Sequence, residues 1–178
     1  MDGRRLRLDL FAFSLGALSL LTLGFFVARN GAAVIMCSLC FAGLVAARLA
    51  GFSNRALVPL AGGLVAILFI LWVGDPLPLT SHQVSAFAHA SGGVLVGWAV
   101  SEWLRGRADW PLWAIGAVGI VFGLTILWEL GEYVGDRVLD TALETSKTDS
   151  ALDITFGTLG GAVGTFIAAL VPSSLRRG

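Results

Sequence analysis

Apolar residues run along this chain in six long stretches with short polar breaks between them, roughly 10–28, 31–50, 56–74, 84–104, 111–132 and 151–171. Each is close to the ~20 residues with which a helix crosses ~30 Å of hydrocarbon. Lipid gives backbone groups no hydrogen-bond partner, and a helix satisfies its own, so these stretches are expected as transmembrane helices. No segments of ~10 residues alternate apolar and polar positions as the strands of a membrane barrel do. The expected fold is all-α: a polytopic bundle of six transmembrane helices. It forms a single membrane domain over 1–178, with scaffold helices in 1–75 and helices carrying a polar site in 76–171.

Composition sharpens this reading. Hydrophobic residues make up 56% of the chain and charged ones 13%, with a mean hydropathy of +0.83. A soluble domain averages about 25% charged residues. The chain is too apolar for a disordered segment, and its zero net charge excludes a basic nucleic-acid binder. The first stretch follows Arg4, Arg5 and Arg7, as a signal peptide would. It is too long for a signal's apolar region and has no small-residue cleavage site before Arg29, so it is expected as an uncleaved helix. Cys37 and Cys40 lie inside an apolar run with no cation nearby to favour a thiolate. They are expected as small packing residues rather than a redox or metal pair.

Charge gives the bundle a direction. With the N-terminus inside, nine Lys and Arg residues fall on the inner side, and only Arg29, Arg137 and Lys147 on the outer. Basic residues favour the cytoplasmic face, so both termini are expected there, in a multi-pass protein of the bacterial inner membrane. The acids segregate the other way. Asp75, Glu129, Glu132, Asp136, Asp140, Glu144, Asp149 and Asp153 are outer, so eight acids against three cations leave that side at −5. His82 and His89 belong to the outer half as well.

These residues form stripes. At about 100° per residue, Glu129, Glu132, Asp136 and Asp140 share one ~80° face if the helix continues past Gly135. His82 and His89, seven apart, share a face if both are helical, and so do Asp149 and Asp153, four apart. Ionisable groups at such depth are costly and mark a functional site by default. Imidazoles with carboxylates suit Zn, Mn or Fe better than Mg or Ca. The expected ligands are His89, Glu132, Asp136 and Asp153, with Glu129 as general base or bridging ligand. Against this stands a plainer reading: Glu132, Asp136 and Asp140 as a solvated helix end, His82 in the outer loop and His89 as a packing histidine. Gly93-x-x-x-Gly97, Gly119-x-x-x-Gly123 and Gly160-x-x-x-Gly164 offer three places for close helix contact.

Trp128-Glu129-x-x-Glu132, followed by Asp149-x-x-x-Asp153-x-x-x-Gly157-x-x-Gly160-x-x-x-Gly164, resembles the VanZ-like membrane proteins, and most of all the bacterial inner-membrane proteins of the YjdF type. His89-x-x-Gly92 extends the resemblance, which covers about residues 80–168. Gly157 stands where that family usually has asparagine, and Glu132 where VanZ itself has glutamine. The glycopeptide-resistance role of VanZ is therefore not carried over, and the resemblance implies a site rather than a reaction. Together these readings lead to an expected metal-dependent hydrolase acting on a lipid or lipid-linked envelope substrate at the outer leaflet. The rivals are a non-catalytic protein binding envelope lipid, a partner membrane protein or another copy of itself, and a small ion-coupled transporter. The transporter is disfavoured because ionisable groups occur only at the two ends of the spans.

Overall fold

The computed structural model describes residues 3–27, 31–73, 81–139 and 146–171. All six expected helices are present: α1 (Gly3–Val27), α2 (Gly31–Leu49), α3 (Asn54–Val73), α4 (Ser81–Leu104), α5 (Leu112–Leu139) and α6 (Lys147–Leu170). Five are long and apolar enough to cross a membrane, and α2 contributes a shorter apolar stretch, Ala33–Leu49. This is the architecture of a multi-pass membrane protein.

Two differences from the expected bounds matter. α5 continues through Gly135 to Leu139, which puts Asp136 on the helix as well as Glu132. α6 starts at Lys147, with the Ser146 hydroxyl accepting from the Asp149 amide at 3.1 Å, so Asp149 lies in its first turn. A serine ahead of a helix with an acid three residues on is a favourable start, since it satisfies an orphan amide and complements the helix dipole. Asp75, Asp140 and Glu144 lie outside the described residues.

The first three helices pack on one another, and α3 packs on α4. Their core is made of side chains, with Leu18, Cys37, Leu44, Leu57 and Ala61 almost fully buried. α2 ends in a Schellman motif. Gly51 adopts φ +83°, its amide bonds to the Arg48 carbonyl at 3.1 Å, and the Phe52 amide reaches the Ala47 carbonyl at 3.1 Å. Glycine takes this left-handed conformation without a Cβ penalty, which lets the chain reverse into α3.

The most extensive interface joins α4 and α6, which run parallel. Here the backbones touch. A Cβ added at Gly93 would strike the Gly157 carbonyl, and one at Gly97 the backbone of Gly161. From the other side, a Cβ at Gly160 would strike the Ala90 carbonyl, and one at Gly164 the Val94 carbonyl. Small residues permit this approach in a membrane, where packing and polar contacts rather than water exclusion join helices. The expectation for Gly119 and Gly123 is not met, since a Cβ at either would meet open space. α5 instead sets Val121 against Gly161 and Thr125 against Gly157.

The far end of this unit is clasped by Arg105. Its guanidinium donates to the Ala168 carbonyl of α6, lies 4.5 Å from the Trp113 ring centroid of α5, and approaches Glu102 at 3.5 Å. Nearby, Trp103 Nε1 donates to the Ala50 carbonyl at 3.0 Å and its ring stacks on Phe52, which ties α4 to the α2–α3 turn.

Candidate functional site

The parallel register of α4 and α6 can be followed from side chain to side chain. His82 faces Asp149, Ser85 faces Asp153, and Ser101 faces Thr165. His82, Ser85 and His89 are spaced i, i+3 and i+7, so they occupy a face about 60° wide. Asp149 and Asp153 are one turn apart on α6. α5 runs antiparallel beside them and delivers Glu129 to the same level.

Three ligand-type side chains converge where these helices meet. His89, Glu129 and Asp153 each offer an atom within 4.8 Å of the other two. His89 Nε2 is 3.6 Å from Glu129 Oε1 and 3.6 Å from Asp153 Oδ2. Both distances exceed the ~2.7–3.2 Å of an N–H···O hydrogen bond. The imidazole nitrogen thus stands equally far from two carboxylates carried by two other helices. Glu129 and Asp153 are buried, at 8% and 6% side-chain exposure, and His89 is largely covered at 11%. From the helix ends, they lie about 12 Å along α4, 15 Å along α5 and 9 Å along α6. Two buried carboxylates beside one imidazole cost several kcal/mol unless something compensates the anions. A bound cation or a proton would compensate them with this donor set.

Of the residues expected at a site, the structure brings together His89, Glu129 and Asp153. Glu132 lies one turn along α5 from Glu129, with its Oε1 accepting from Trp128 Nε1 at 2.7 Å. Asp136 lies a further turn along, half-buried. Neither belongs to the three-residue group. Glu129, Glu132 and Asp136 do share a helix, but they sit at different heights, and only Glu129 joins His89 and Asp153; Asp140 lies outside the described residues.

Two features escaped the reading of the sequence. Ser85 donates to Asp153 Oδ2 at 2.7 Å, the same oxygen that faces His89. Its position between His82 and His89 on one helical face was the available signal. His82, read as either a loop residue or a helical partner of His89's face, sits in the first turn of α4, and its Nδ1 is 2.7 Å from Asp149 Oδ1. Comparison with known protein families, with curated proteins and with solved structures finds no match to this chain.

Proposed function

We propose that this chain is a metal-dependent hydrolase of the bacterial inner membrane. It would cleave an ester or phosphoester of a lipid or lipid-linked envelope substrate at the outer leaflet. The observation that carries the reading is the pair of 3.6 Å separations at His89 Nε2. They are too long for hydrogen bonds and close to the ~3.3 Å ligand-to-ligand edge of a tetrahedral site with ~2.0–2.1 Å bonds. One imidazole and two carboxylates favour Zn, Mn or Fe over Mg or Ca. Three protein ligands leave a position open, as catalytic sites do.

A bound divalent ion would supply Lewis-acid activation of water and of the scissile group. His89, Glu129 and Asp153 would hold the ion, and Ser85 holds Asp153 in place through its hydrogen bond to Oδ2. Glu132 is held by the Trp128 indole one turn nearer the solvent end, where it takes the proton of the attacking water. The water oxygen bonds to the carbonyl carbon or phosphorus, the bond to the leaving oxygen breaks, and Glu132 returns the proton to that oxygen. Glu129 acts here as a ligand and Glu132 as the acid–base group. The proposal includes six spans with both termini cytoplasmic, supported by the nine-to-three distribution of basic residues. It also retains the resemblance to VanZ-like proteins over 80–168.

Elemental analysis of the detergent-purified chain tests the metal. One transition-metal ion per chain is expected, with loss in His89→Ala and in Asp153→Asn at matched folding. A metal-free wild-type protein after purification without chelator would leave the interaction reading in its place. Terminal reporter fusions active only in the periplasm would overturn the topology.

A further inference from the structure

The end of the bundle opposite the His89 cluster carries arginines of two kinds. Arg105 is taken up by the fold itself, through the Ala168 carbonyl, the Trp113 ring and Glu102. Arg48 and Arg107 are exposed, and among the described residues neither forms an ion pair with a carboxylate. They come from different elements, the last turn of α2 and the turn after α4, and meet across Gly51. The Gly51 amide bonds to the Arg48 carbonyl at 3.1 Å, and a Cβ added at Gly51 would stand 3.7 Å from Arg107 Nη2. The docking of Trp103 Nε1 on the Ala50 carbonyl brings the two elements together. Both guanidinium groups are held by neutral partners. Arg107 Nη1 donates to the Trp103 carbonyl at 2.6 Å, and its carbon lies 4.5 Å from the Trp103 ring centroid. Arg48 Nη1 donates to Asn54 Oδ1 at 2.8 Å. Their charges therefore stay uncompensated, and half-buried Arg55 adds a third at the start of α3. Asp109, two residues from Arg107, is exposed and pairs with neither among the described residues.

We propose that Arg48 and Arg107 bind the phosphate of an anionic lipid headgroup, in the leaflet opposite the His89 cluster. Basic residues that only orient a membrane protein need no fixed side-chain geometry. Here two planar forks are fixed around one turn, with most of their N–H donors unused, and a phosphate offers the several acceptor oxygens that such forks match. Trp103 and Asn54 have already restricted the two side chains, so less freedom is lost on binding. A lipid fits better than a soluble anion. Trp103 stacked on Phe52 lies beside the forks, as aromatic rings do at headgroup depth. Apolar surface flanks them too, with Leu49 82% exposed next to Arg48, and Trp110 65% and Leu112 66% exposed shortly after Arg107. Acyl chains would lie along that surface, while the headgroup bridges the α2–α3 turn and the turn after α4. Neither the metal nor the reaction enters this site.

The test is native mass spectrometry of the full chain in detergent, titrated with phosphatidylglycerol or with phosphatidylcholine of the same chains. The wild-type chain is expected to hold one phosphatidylglycerol about tenfold more tightly than phosphatidylcholine, the scale of a charge-assisted hydrogen bond. Arg48→Gln and Arg107→Gln should each remove most of that preference, at an unchanged melting temperature. Arg48→Lys, which keeps the charge and loses the fork, should fall between Arg48→Gln and wild type. Arg137→Gln, in the last turn of α5 at the other end of the bundle, should change binding less than twofold. A wild-type chain with no preference between the two lipids would overturn the proposal. So would Arg48→Gln and Arg107→Gln variants that keep the wild-type preference, or an equal loss in Arg137→Gln, the mark of overall charge rather than a site. Displacement of the lipid by millimolar inorganic phosphate would overturn the lipid as occupant and mark a site for a soluble anion.

Discussion

In α1–α3 the helices meet through side chains, and the hydroxyls of Ser14, Ser19, Thr22 and Ser38 each donate to a carbonyl one turn back on their own helix. In the second half α4 and α6 meet backbone to backbone, and alongside hydroxyls bonded to their own helix, such as Ser91, Thr155 and Thr158, other polar groups reach across. Ser85 bonds Asp153, Ser101 bonds Thr165, and Arg105 bonds the Ala168 carbonyl. The contrast separates two uses of polarity in a membrane. A hydroxyl satisfied on its own helix costs little and selects no neighbour. A polar group satisfied by another helix specifies which helices meet and at what height, and the ligand-type side chains occur in the half built that way.

The sharpest way to break this contrast is to add one side chain to each kind of glycine. Gly160→Val should force α4 from α6 and destabilise the protein by ~3 kcal/mol or more, since a carbonyl rather than a flexible side chain lies in the way. Gly119→Val, which meets open space, should stay within ~0.5 kcal/mol of wild type. Reversible unfolding in mixed micelles would measure both. Equal effects would dissolve the distinction between the two interfaces.

Within the site half, Glu132→Gln is expected to abolish any in-cell function while metal content stays close to wild type, because the change removes only the proton acceptor. Glu144→Gln, outside the described residues, should leave the phenotype intact. Identical phenotypes at matched membrane levels would remove Glu132 from the mechanism. Ser85→Ala should weaken metal binding by about 10–100-fold, the usual effect of freeing a ligand from its outer partner, and Ser85→Thr should restore most of it. Isothermal titration would read both variants. The counterpart in the scaffold half is Cys37→Ala, buried among apolar neighbours. It should cost about 1 kcal/mol and leave metal content unchanged. A fall in metal content would return the Cys-x-x-Cys pair to the chemistry.

Much of this architecture can be read from residue order alone, because helix length against bilayer thickness leaves little choice. All six elements follow from apolar length, and the faces of α4, α5 and α6 follow from 100° steps. Height does not follow. Glu129 and Glu132 differ by about 60° and 4.5 Å, and only the docking of α5 on Gly157 and Gly161 decides which of them is level with His89. Partner choice is equally hidden. Three Gly-x-x-x-Gly motifs look alike in the sequence, yet Gly119 and Gly123 face open space while Gly93, Gly97, Gly160 and Gly164 form the seam. Ser85 is hidden in the same way, because its role exists only through its hydrogen bond to Asp153.

The seam between α4 and α6 also sets an order of events during biosynthesis. The two helices that press most closely together are not consecutive, because α5 is made between them. They are also the two least apolar of the five long spans. A chain emerging N-terminus first delivers α4 while its glycine face and its histidines have no opposite number. The scaffold helices can assemble in the order in which they are made, whereas the cluster of His89, Glu129 and Asp153 comes into being only with the arrival of the final helix.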